Sequence, residues 1–157
     1  MITDFDTVES CGLVVFNGNS VLLIKRRDKW DLPKGKNEKG EQYRQTALRE
    51  TDEETGIPQI DLEISSELFP TQHFTEYDGV HHIKTTHWFM AKYRGPIDHV
   101  LIPQTDEGIE DVQWVSLNTV NQYLPEMRGY ARYILDSTLN LLKIEQKQLK
   151  EKLTRGD

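Results

Sequence analysis

The chain of 157 residues has a single cysteine, no apolar run of membrane length and no surplus of basic charge. One cysteine excludes an intramolecular disulfide. Cys11 sits in the apolar run Cys11 to Phe16, which reads as a small buried hydrophobe more readily than as a nucleophile. Near the amino terminus Asp4, Asp6 and Glu9 stand where a secretory leader carries basic residues, so the expected location is the cytoplasm, without a membrane span. The net charge is −7, from 26 acids against 19 bases, which argues against a general affinity for nucleic-acid backbones. The five histidines do not form the H-E-x-x-H pattern of a zinc helix. Internal repeats and low-complexity linkers are also lacking, so the length predicts one domain over residues 1–157, with about 145–157 as a charged tail.

What is present is concentrated between residues 35 and 57. Gly35, Glu41, Arg49, Glu50, Glu53, Glu54 and Gly56 stand at fixed intervals in GKNEKGEQYRQTALRETDEETGI. Seven such identities arise by chance with a probability on the order of one in 10⁸ per starting position, from average residue usage. The span from Gln42 to Thr55 lacks Gly and Pro and predicts a helix, ended by Gly56 and barred from continuing by Pro58. On it Glu50, Glu53 and Glu54 lie at i, i+3 and i+4, so three carboxylates crowd one face. Like charges so placed repel, and a hard divalent cation relieves the conflict. Mg²⁺, or Mn²⁺, takes a few carboxylates and completes its octahedron with water and phosphate oxygens. Gly35 and Gly40 bracket the preceding loop, where glycine allows close backbone approach, and Lys34 and Lys36 lie beside it, suited to phosphate. Arg49 is positioned to pair with Glu41 or a helix carboxylate, fixing rotamers instead of touching substrate.

This spacing resembles the signature of the Nudix hydrolases, departing from it only at Thr51, where the family prefers an aliphatic residue. The resemblance implies an α/β/α sandwich around a mixed sheet, supported by the order of elements from Cys11 to about Leu142. It also implies hydrolysis of a diphosphate linked to another moiety, usually a nucleoside. Glu53 or Glu50 is then the expected base, with Arg49 completing the catalytic set. Glu50, Glu53, Glu54 and Glu107 are the expected metal ligands, although Asp106 and Glu110 compete with Glu107. The lead-in KWDLPKGK resembles that of enzymes for dinucleoside polyphosphates, and Lys84 resembles a basic strand position that meets phosphates. Trp30 suits either a stacked base or the edge of the core. Tyr77, Tyr130 and Tyr133 are further stacking candidates, although ordinary packing is the better-favoured role of any one of them.

Dinucleoside polyphosphates or nucleoside triphosphates are the expected substrates of this monomer or homodimer. Diphosphoinositol polyphosphates are the alternative, opposed by the scatter of Arg26, Arg27, Lys34, Lys36 and Lys84 along the chain. A non-catalytic nucleotide-sensing module is the remaining reading. The other expected elements are hairpins at Cys11 to Lys25 and Gln72 to Tyr93, strands at Ile60 to Leu68 and Val112 to Val115, a helix near Thr119 and a last helix from about Ala131.

Overall fold

The computed structural model describes residues 6–156. Eight strands form one mixed sheet: β1 (Asp6–Asn17), β2 (Ser20–Arg26), β3 (Lys29–Asp31), β4 (Lys34–Lys36), β5 (Leu62–Glu67), β6 (Thr71–Tyr77), β7 (Val80–Tyr93) and β8 (Ile109–Ser116). The order is β3-β2-β1-β7-β5, with β4 beside β1, β6 beside β7 and β8 beside β2. The long central pair, β1 with β7, is parallel from Asp6–His82 to Phe16–Lys92. Helix α1 (Tyr43–Thr55) covers one face and α2 (Gly129–Arg155) the other.

The alternation of the strands explains the sandwich. Cys11, Leu13 and Val15 of β1, with Leu22 and Ile24 of β2, point to the face where Ala47 of α1 and Ile57 pack. Val14, Val21 and Leu23 point the other way, toward Trp88, Ala131, Ile134 and Leu135. A period of two thus buries both faces. Thr51, the one departure from the family pattern, is fully buried and its hydroxyl donates to the Ala47 carbonyl at 2.8 Å. The polar atom is satisfied within the helix.

Both expected hairpins form. The second turns through Asp78 (φ 50°) and Gly79 (φ 76°), the left-handed pair of a tight two-residue loop. Three features differ from the sequence reading. The lead-in KWDLPKGK, to which no element is assigned from sequence, holds two short strands: β3 pairs with β2 and β4 with β1. The helix expected from Thr119 is replaced by two 3₁₀ turns, Val120–Gln122 and Leu124–Glu126, because Pro125 cannot donate within a longer helix. The last helix starts two residues early and runs to Arg155, so the segment read as a charged tail continues α2. Among the described residues no helix is long and apolar enough to cross a membrane.

Candidate active site

Helix α1 opens where Gln45 reaches back to accept the Gln42 backbone N–H at 2.9 Å, and it closes at Gly56. Gly56 has φ 76°, and its N–H returns to the Asp52 carbonyl at 2.8 Å. This stop holds Glu54 on the last turn, pressed against the sheet, while Glu50 lies one turn earlier. The chain at Gly35 runs directly beneath Glu50: a Cβ built there would lie 2.0 Å from the Glu50 carboxyl carbon. Only glycine lets the carboxylate occupy that place.

Arg49 ties the glutamates of this region together. Its Nε and Nη2 donate to the two oxygens of Glu41 at 2.7 and 2.9 Å, a forked pair, and Nη2 also reaches the Lys36 carbonyl at 3.0 Å. Its Nη1 donates to Glu50 at 2.9 Å and to both Glu53 oxygens at 3.3 Å. The residue read from sequence as pairing with either Glu41 or a helix carboxylate does both. This guanidinium holds the Glu41 carboxyl down at about 2, with help from the Thr46 hydroxyl and the Glu38 N–H.

The other two glutamates behave differently. Glu54, 2 % exposed, accepts from Arg26 Nη2 at 2.6 Å and from the Lys34 N–H at 3.2 Å. Burial pushes its carboxyl up to about 8, partly offset by Arg26 and Lys34. Burial also raises Glu50, against the pull of Arg49. A hard divalent cation bound beside these two buried carboxyls would favour their charged forms. Among the described residues no three acidic, histidine or cysteine side chains already converge as a ligand cage, because Arg26 and Arg49 engage the carboxylates directly. Glu53 is the most accessible of the three, with its side chain 44 % exposed.

These groups open onto a polar cleft of about 420 Å³. Lys34, Gly35, Lys36, Lys84 and Glu107 all line it, so five sequence candidates from three separate segments meet the helix carboxylates there. Glu107 sits on an exposed 3₁₀ turn, Thr105–Glu107. Its competitor Glu110 instead accepts the Asp28 N–H at 3.0 Å.

The cleft continues into a second recess of about 460 Å³, sharing Arg26, Lys34, Lys84 and Glu107 and adding Arg27 and Arg128. Cations scattered in sequence are gathered here, which removes the composition argument against a highly anionic substrate. Asp31 and Arg128, which carry no signal in sequence, belong to this wall together with the aromatic candidate Tyr130. His73 stacks on Tyr130 with ring centroids 4.4 Å apart. Burial and the neighbouring Lys34 and Lys84 hold the His73 imidazole down at about 4, so at neutral pH it presents an uncharged ring.

Trp30 is not at the cleft. It is 7 % exposed and meets Tyr123 edge-on at 5.0 Å, which leaves the core role of its two readings and corrects the substrate-stacking one. Tyr77 ends β6 opposite Val80, and its side chain lies outside what the structure describes. Tyr133 is 63 % exposed beside His73 and Tyr130.

A model of the NUDIX domain matches residues 7–137. The RNA pyrophosphohydrolase of Pelagibacter ubique is 27% identical over 128 residues, 74% of this chain and 81% of that protein. The NAD-capped RNA hydrolase NudC of Pseudomonas aeruginosa is 35% identical over 100 residues, 63% of this chain and 31% of that longer protein. Among solved structures, the C. elegans Ap4A hydrolase superposes with a TM-score of 0.65 at 26% identity, covering 87% of this chain and 98% of the other.

Proposed function

We propose that this chain, a pyrophosphohydrolase that belongs to the Nudix family, cleaves the diphosphate linkage of a nucleotide, with dinucleoside polyphosphates and nucleoside triphosphates as the best-fitting substrates. The observation that carries this reading is the meeting of Glu50, Glu53, Glu54 and Glu107 with Lys34 and Lys84 around one cleft. Carboxylates alone would repel a phosphate chain; cations alone would bind it without chemistry.

When bound, Mg²⁺ or Mn²⁺ on Glu50, Glu53, Glu54 and Glu107 supplies Lewis acidity toward the phosphate oxygens and acidifies water. The residues of the chain do the rest. Lys34, Lys36 and Lys84 offer positive charge along the cleft, and Gly35 leaves the backbone open to close approach. Arg49 keeps Glu50 in a fixed rotamer while itself tied to Glu41. Glu53, held only by the longer 3.3 Å contacts, is the group best placed to turn toward water and take its proton, with Glu50 next.

Two further substrate classes are supported by particular observations. RNA carrying a pyrophosphate linkage is suggested by the names of two relatives. A diphosphoinositol polyphosphate is favoured by the grouping of Arg26, Arg27, Lys34, Lys84 and Arg128 in the distal recess. A panel with Mg²⁺ containing diadenosine tetraphosphate, ATP, ADP-ribose, 5′-triphosphorylated RNA and a diphosphoinositol polyphosphate separates them. Fastest turnover of diadenosine tetraphosphate or ATP is expected. Rapid turnover of RNA or the inositol compound alone would replace the nucleotide reading, and no turnover of any member would favour a sensing module.

A further inference from the structure

One buried acid anchors the wall of the second recess. Asp31, 1 % exposed, ends β3. Its Oδ2 accepts the Tyr130 hydroxyl at 2.5 Å and lies 3.5 Å from Arg128 Nε, while Oδ1 accepts the Leu32 N–H at 2.7 Å. The backbones meet as well, since the Arg128 N–H donates to the Trp30 carbonyl at 3.0 Å. The carboxylate therefore joins the lead-in strand to the start of α2, two segments about a hundred residues apart in sequence.

The Tyr130 ring is the next link. The Lys34 ammonium lies 5.2 Å from its centroid, within cation–π range, and the His73 ring stacks on it 13° from parallel. Lys34 is itself 6 % exposed, so its long side chain has few orientations in which the charge stays supported. A ring tethered by a charge-assisted bond gives that ammonium a fixed rest at the junction of the two recesses.

We propose that Asp31 is a positioning residue: through the Tyr130 hydroxyl it fixes the ring on which Lys34 rests, and so aims the Lys34 ammonium at the phosphate chain of a bound substrate. This rests on the reading of the cleft as a polyphosphate site. Asp31 touches no substrate in this account; its route to Lys34 runs through Tyr130, beside its separate 3.5 Å contact with Arg128.

The test measures binding of inorganic tripolyphosphate to the full chain by calorimetry, without divalent metal, for wild type, Asp31→Asn, Tyr130→Phe and the double variant. Each single variant is expected to weaken binding by about tenfold, the scale of one charge-assisted bond. The double variant should bind within about twofold of Asp31→Asn, because both changes cut the same chain of contacts. With a hydrolysed substrate, KM should rise while kcat stays within about threefold.

Unchanged tripolyphosphate affinity in either folded single variant, or fully additive losses, overturns the proposal. Where Asp31→Asn does not fold, Tyr130→Phe, which removes one hydroxyl, must still show the loss. A wild-type chain that does not bind tripolyphosphate also overturns it. One that binds tripolyphosphate with this pattern yet cleaves no diphosphate substrate leaves Asp31 in its role and removes the enzymatic reading.

Discussion

The acidic helix and the cationic wall opposite it are built on different plans. The helix side is local: Gly35, Glu41, Arg49, Glu50, Glu53 and Glu54 lie within twenty residues, and the longest side-chain link among them, Arg49 to Glu41, spans eight. The cationic wall draws Arg26, Asp31, His73, Lys84, Arg128 and Tyr130 from five elements and segments that only the finished sheet brings together. A local constellation is set by helical periodicity and one loop. A distributed one exists only when β1, β2, β6 and β7 are in register. The two sides should therefore fail in different ways when altered, the helix side in turnover and the wall in affinity.

The largest effect should come from Glu54→Gln. It removes the buried carboxylate that Arg26 and the Lys34 N–H both address, and kcat should fall by at least about 10²-fold, the scale of losing a general base or a preorganised electrostatic group. The fold should hold, since a neutral amide relieves the desolvation that raises this group. A folded variant with near-normal kcat would break the distinction at its strongest point.

Gly35→Ala sharpens it. The added methyl would collide with the Glu50 carboxylate, which can swing aside at little cost to the fold but cannot stay in place. The expectation is a loss of about tenfold or more in kcat, on the scale of displaced catalytic geometry, with a melting temperature within a few degrees of wild type. A large drop in melting temperature with kcat retained would show that Gly35 serves the backbone alone.

On the wall, Lys84→Ala and Arg128→Ala should raise KM and leave kcat nearly unchanged, with the rise growing with the number of phosphates in the substrate. About three- to tenfold per residue is expected for a partly exposed charge contact. A fall in kcat as large as that of Glu54→Gln would place these cations in the chemistry and erase the contrast.

The smallest effect concerns acid stability. Arg49 holds Glu41 down at about 2, below the ordinary carboxylate value of 4.5. Its contribution is therefore complete above about pH 4.5 and is lost as the pH falls toward 2. Thermal unfolding followed from pH 6 to pH 2.5 should show Glu41→Gln losing less stability across that window than wild type does. Parallel curves would remove the Arg49–Glu41 pair from the account of stability.

This division also explains what the amino-acid sequence revealed. The helix from Gln42 to Gly56, its carboxylate face and the pairing of Arg49 were readable because i+3 and i+4 spacing and a glycine stop are local rules. Both hairpins were readable for the same reason, through the local turn residues Asn17-Gly18-Asn19 and Asp78-Gly79. The strands β3 and β4 were not, because three-residue strands carry no periodicity. The turn between β2 and β3 hides too, since Arg27 (φ 49°) and Asp28 (φ 65°) adopt left-handed backbone without a glycine to announce it. Trp30 offered two readings in sequence, and only the packing of Tyr123 against it decides for the core. Asp31 and Arg128 gave no signal, since their meaning lies in a contact across about a hundred residues.

The most direct measurement of the central claim, that the helix carboxylates hold the divalent cation while the wall holds phosphate, is a Mn²⁺ titration followed by electron paramagnetic resonance. It is made on wild type, Glu54→Gln and Lys84→Ala without substrate. The free Mn²⁺ signal should be depleted by wild type and by Lys84→Ala alike, and depletion should be weakened by at least about tenfold in Glu54→Gln, the usual scale for loss of a metal's supporting group. Undiminished Mn²⁺ binding by folded Glu54→Gln, or its loss in Lys84→Ala, would contradict the claim.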